Sequence, residues 1–173
     1  MTKIHPLLCA LILMASSAAY SALVVKEQIL SIQEIKHRAL QGSTLLTNQQ
    51  LKERIKLNPK LVLLDVRTQR EYRAGHLKGA AWIERGIAEF VLARTLTDRD
   101  IEIIVYCKQG YRSSLVVKTL QGIGYANVVA HVGFDEWVKA GNIYSNYLGD
   151  SKLVTPKAAT AANFKPDYYL PKS

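Results

Sequence analysis

The chain has 173 residues, 49% hydrophobic and 21% charged, a balance that excludes intrinsic disorder and allows one ordinary domain with terminal extensions. Its formal charge of +9 is interleaved with acids, as in Lys52-Glu53-Arg54 and Asp98-Arg99-Asp100, rather than gathered into blocks. With no basic-aromatic module either, nucleic acid is not an expected partner.

Residues 1–21 begin with Lys3 and His5, run through an apolar stretch over 7–15, and close on Ser16, Ser17, Ala18 and Ala19. That order predicts a secretory signal peptide cut after Ala19 or Ser21. Read instead as an anchor extending to Val25, the stretch takes in Ser16, Ser17, Tyr20 and Ser21, a poor match to the roughly 20 mainly apolar residues of a span. Cys9 follows Leu8 rather than a small residue, which argues against lipidation. The expectation is a periplasmic or otherwise secreted protein with no stable membrane association after cleavage. Removal of Cys9 leaves Cys107 as the one cysteine, so no internal disulfide can form. A lone thiol in an exported chain is either buried and inert or the seat of function.

Residues 22–43 read as an N-terminal helical extension. Ile29, Ile32, Ile35, Ala39 and Leu40 fall at helical spacing over 26–41, and Gly42 stops the helix. Thr47 and Gln50 form a capping box for a second helix with Leu51 and Ile55 inward, ended by Asn58-Pro59. Residues 61–66 suit a strand buried on both faces. Gly75 and Gly79 mark the next turn, and 80–83 a further short strand. Over 86–96, Ile87, Phe90, Val91 and Leu96 form a helical stripe. A second buried strand covers 101–106 and stops at Cys107. Leu115, Val116, Thr119, Leu120 and Ile123 predict a helix from 113, followed by a strand over 127–130 and a last helix over 135–139. From about residue 145 periodicity is lost, so residues 143–173 read as a tail, ordered only where Phe164 or Tyr168-Tyr169 covers a surface. Alternating strands and helices over 44–142 imply a parallel sheet covered on both faces, with chemistry beyond the strand carboxyl ends.

Cys107 sits at such an end. Between strand and helix, Lys108-Gln109-Gly110-Tyr111-Arg112-Ser113 make a short loop whose central glycine lets backbone N–H groups turn inward. Ser113 or Ser114 is placed to cap the following helix, whose N-terminus adds partial positive charge, and Lys108 and Arg112 add full charges. Each favours thiolate over thiol and suits a small bound anion. The alternative is an inert apolar cysteine at a strand end.

The ordered set of Leu63-Leu64-Asp65-Val66-Arg67, Glu71-Tyr72, Gly75-His76-Leu77-Lys78-Gly79-Ala80, the run from Ile104 to Ser113, Gly124-Tyr125 and Trp137 resembles a rhodanese-like domain over about 44–142. Arg85-Gly86 and Glu89-Phe90 are similar to a stretch in some members. The resemblance implies an α/β, three-layer rhodanese-like fold: a central five-stranded parallel sheet with helices on both faces. It also implies a thiosulfate sulfurtransferase in which Cys107 attacks a small anionic sulfur donor, holds the sulfur as a persulfide and passes it to a thiol or cyanide, a protein thiol included. No metal or organic cofactor is implied. Residues 108–113 become the substrate cradle, with Asp65, Arg67 and His76 as supporting residues. Val132 stands where the family usually has the first of two glycines, and Trp82 and Glu84 replace a common Asn and Pro. Two other functions compete. Phosphatases and arsenate reductases on this fold carry five residues between Cys and Arg, against four here, and a non-catalytic carrier or partner-binding domain needs no reactive cysteine.

Overall fold

Four consecutive apolar residues, Ile103–Tyr106, form the central strand of the computed structural model, which describes residues 29–153. The expected signal peptide over 1–21, residues 22–28 of the extension and the tail from 154, with Phe164 and Tyr168-Tyr169, lie outside the described residues. The chain divides into two units at Ile35 and Lys36. In the first, Ser31 and Glu34 exchange hydrogen bonds that start helix α1 (Ile32–Leu40).

The second unit carries the sheet. In chain order its elements are β1 (Leu45–Leu46), α2 (Asn48–Leu57), β2 (Val62–Asp65), α3 (Gln69–Ala74), β3 (Ala81–Trp82), a 3-10 turn (Arg85–Ile87) and α4 (Ala88–Thr95). Then follow β4 (Ile103–Tyr106), α5 (Tyr111–Gly122), β5 (Val128–His131), α6 (Phe134–Lys139), β6 (Ile143–Asn146) and β7 (Gly149–Lys152). The five-stranded sheet runs β1-β5-β4-β2-β3, and every pairing is parallel.

Side chains alternate across a strand, so β4 supplies both cores. Ile103 and Val105 meet Leu64, Leu92, Val116 and Leu120 on the α4–α5 face. Ile104 and Tyr106 meet Leu51, Leu63, Leu77 and Trp137 on the α2–α6 face. This is the three-layer arrangement the sequence predicts.

Two local expectations fail. The stripe over 86–96 is out of phase: Ala88 and Leu92 are buried, while Phe90 is 65% exposed and Ile87 is exposed too. The 3-10 turn at Arg85–Ile87 resets the helical phase before α4 begins. Helix α3, to which the sequence pattern assigned no element, is held by its Thr68–Glu71 capping box. Residues 143–152 form an antiparallel hairpin rather than tail. Its strands are four residues long with no buried residue, too short and too polar to show alternation. Ser145 and His76 exchange both backbone hydrogen bonds at 2.8 Å, tying the hairpin to the end of α3.

Candidate active site

Strand β4 delivers Cys107 to the carboxyl edge of the sheet, and the next helix begins four residues later. The intervening loop is clamped from several sides. The Phe134 amide donates to the Cys107 carbonyl at 2.8 Å and the Asp135 amide to the Lys108 carbonyl at 3.1 Å. Gly133, at φ +115, passes so close that a Cβ there would lie 2.5 Å from the Lys108 oxygen. Gly110 takes φ +85 as the residue before α5, with Leu45 against it. Left-handed backbone at this point turns the chain from strand to helix, which a residue with a Cβ resists.

Ser113 and Ser114 lie inside α5 rather than at its cap, contrary to expectation, because the helix starts two residues early at Tyr111. Both hydroxyls donate to the Gly110 carbonyl, at 2.9 and 2.8 Å. Ser113 Oγ also lies 3.7 Å from Cys107 Sγ, so its one proton serves either the carbonyl or the sulfur. The first turn of α5 therefore reaches the sulfur, and its amides have no preceding turn to bond. That leaves partial positive charge beside Cys107, which is 1% exposed.

Arg112 is not a free cation. Its guanidinium grips Glu71 with two bonds, Nη1 to Oε2 at 2.8 Å and Nη2 to Oε1 at 2.7 Å. Arg112, aided by the Thr68 amide and hydroxyl, holds the Glu71 carboxyl down to about 2 against its burial. Glu71 in turn raises the Arg112 pKa, with the Cys107 sulfur adding to the same effect. Hollows of about 320 and 280 Å³ flank the pair, the first reaching Arg85 and Ile87, the second Lys108 and Tyr144.

The other predicted residues divide into two groups. Lys108 borders the second hollow with Arg67 and Glu71. Gln109 donates to Asp135 at 3.1 Å, and the Tyr111 ring lies beneath the Lys36 ammonium. Behind them Asp65 and Arg67 form a buried pair at 2.6 Å, and Arg67 also donates to the Gly75 carbonyl. Burial works against the Arg67 cation, but Asp65 outweighs it and raises its pKa. The guanidinium covers the Phe134 ring at 4.2 Å, so the pair braces the start of α6. His76 stacks on Tyr72 and hydrogen-bonds the Tyr72 carbonyl at 3.0 Å through Nδ1. A carbonyl can only accept, so that nitrogen carries the proton.

Sequence reasoning missed His131 altogether. Buried in β5, its Nδ1 accepts from the Gly133 amide at 3.1 Å, so Nε2 donates to Asn48 Oδ1 at 2.9 Å. Burial pushes its pKa down to about 4, keeping the imidazole neutral. It lies one residue past the strand read over 127–130, and nothing local marked it. Glu71 was legible in its motif, but its partner 41 residues away was not.

The Rhodanese-like domain model matches residues 47–140, more than half of the chain. The chain belongs to the rhodanese-like domain family. This rhodanese-like domain is 35% identical over 78 residues to the thiosulfate sulfurtransferase GlpE of Pseudomonas fluorescens, covering 44% of this chain and 69% of that one. It is 32% identical over 87 residues to YrkF, a candidate sulfur carrier protein of Bacillus subtilis, covering 50% of this chain and only 46% of that protein. Among solved structures it resembles RPA3614 of Rhodopseudomonas palustris, a protein of unknown function named as a candidate tyrosine phosphatase. That match has a TM-score of 0.57 and 27% identity, covering 68% of this chain and 96% of the other.

Proposed function

We propose that this rhodanese-like domain is a thiosulfate-type sulfurtransferase that carries sulfane sulfur on Cys107. The observation that supports it most is the cysteine's place: at the end of the central strand, under the first turn of α5, beside the Arg112 guanidinium. Cys107 thiolate attacks the outer sulfur of thiosulfate; the sulfur–sulfur bond breaks and sulfite leaves with its electron pair. The new persulfide lies where the α5 amides and Arg112 offset its negative charge. An acceptor then attacks the outer sulfur, cyanide leaving as thiocyanate or a thiol as a persulfide, and the Cys107 thiolate returns. Two half-reactions sharing one covalent intermediate give ping-pong kinetics. Lys108 and Arg112 draw in the anionic donor. Asp65, Arg67 and His76 fix the surrounding loops and transfer no proton.

Mass spectrometry after thiosulfate treatment tests the reading. One added sulfur atom is expected on the wild type, lost on adding cyanide and never gained by Cys107→Ser. Cyanide-dependent turnover that survives in that variant refutes the assignment. The likeness to RPA3614 favours phosphatase chemistry as a second reading. The four residues between Cys107 and Arg112 make a smaller cup than a tetrahedral phosphate ester needs, so hydrolysis of a chromogenic phosphate ester is expected to be absent. The proposed compartment is extracytoplasmic, and a mature N-terminus beginning near residue 20 or 22 in a periplasmic fraction is the result expected.

A further inference from the structure

On the α2–α6 side of the sheet lies a second cavity, of about 600 Å³, within the range of roughly 300–1,000 Å³ common for small-molecule sites. Cys107, Arg112 and Glu71 take no part in it. Its floor is Leu63, Leu77 and Trp137, all nearly buried, and its exposed apolar walls are Ile55 and Ile143. One wall is the β6–β7 hairpin, through Ile143, Asp150 and Lys152, and those residues lie beyond the 47–140 stretch shared with the family. The wall is firmly placed: Trp137 Nε1 donates to the Ile143 carbonyl at 2.7 Å.

The charges around this lining are unequal. Lys52, Lys78 and Lys152 face it against the single carboxylate of Asp150. Lys78 and Asp150 pair at 2.6 Å, which neutralises one lysine. Lys52 and Lys152 form no ion pair among the described residues, and the Lys52 ammonium lies 5.6 Å from the Trp137 ring centre. A neutral apolar guest leaves two cations unmatched, and a cationic one is repelled. An occupant with an apolar body and one anionic end satisfies both lining and rim.

We propose that this cavity binds a small amphipathic carboxylate of the medium-chain fatty-acid type, its tail along the exposed Ile55 and Ile143 over the Trp137 edge and its head held by Lys52 and Lys152. The site is separate from Cys107 and does not depend on sulfur transfer.

The test is calorimetric titration of the full chain with decanoate, below its micellar concentration, and with decyltrimethylammonium as a cationic twin of equal length. Saturable one-to-one binding of decanoate alone is expected, with a change in Trp137 emission in a Trp82→Phe background. Reversing both charges, Lys52→Glu with Lys152→Glu, is expected to weaken decanoate at least tenfold, about 1.4 kcal/mol. The lysines are exposed, so an unchanged melting temperature will show that the double variant is folded. Equal binding of the two amphiphiles, undiminished decanoate binding in the folded double variant, or no saturable binding would each overturn the proposal.

Discussion

Glu71, on the helix after β2, and Arg112, in the first turn after the cysteine loop, hold each other through two hydrogen bonds, and the same guanidinium interacts with the sulfur of Cys107. The pair ties α3 to α5 and shares with Glu71 a cation that also acts on the sulfur, so part of its pull on the sulfur or on an incoming anion is taken up by the carboxylate.

Glu71→Gln is therefore expected to raise thiolate-dependent labelling of Cys107. A unit charge a few ångströms away is worth about 1 kcal/mol in water-like surroundings, or about fivefold in rate. Iodoacetamide labelling at fixed pH measures it, and an unchanged rate refutes the coupling. The stability cost should be at most about 1 kcal/mol, because the pair is partly exposed. Since the folded-state pKa of Glu71 is depressed, the pair's stabilisation is present above pH 4.5 and fades as pH falls toward 2.

Gly133→Ala places a methyl group 2.5 Å from the Lys108 oxygen and 2.8 Å from the Gln109 nitrogen, at a φ of +115. Backbone cannot yield as a flexible side chain does, so the cysteine loop must move. The expected loss is about 2–4 kcal/mol in urea unfolding, with reduced sulfur loading. Gly79→Ala is the control: φ is +80 but nothing lies within 4 Å of the new methyl. It should cost only about 1 kcal/mol from backbone strain.

His131 predicts acid sensitivity. Its folded-state pKa of about 4 lies below the ordinary 6.5, so the unfolded chain binds more protons between those values. Its contribution is complete above pH 6.5 and is lost as pH falls toward 4, to a total of about 3 kcal/mol. Urea midpoints at pH 7.5 and 5 should differ in the wild type and less in His131→Gln. Equal pH dependence in the two proteins contradicts the assignment.

Arg67→Met leaves Asp65 buried without its cation and is expected to cost about 3–5 kcal/mol. Adding Asp65→Asn should restore part of that loss, because the stranded charge is gone. A double-mutant cycle by chemical denaturation measures the coupling, and simple additivity rules it out.

The alternation of buried apolar runs with helical periods dictated the parallel sheet, and the stop at Cys107 placed the thiol at its carboxyl edge. Those features are local: each strand's burial is written in its own residues. The capping box at Thr47 was legible for the same reason. What the sequence left undecided depends on groups far apart in the chain. Whether Arg112 is free or paired turns on Glu71, and whether residue 133 must be glycine turns on the Lys108 carbonyl. The tautomer of His131 turns on Asn48. Charge compensation, steric exclusion and hydrogen-bond direction act through space at a few ångströms, and only the folded chain sets those distances.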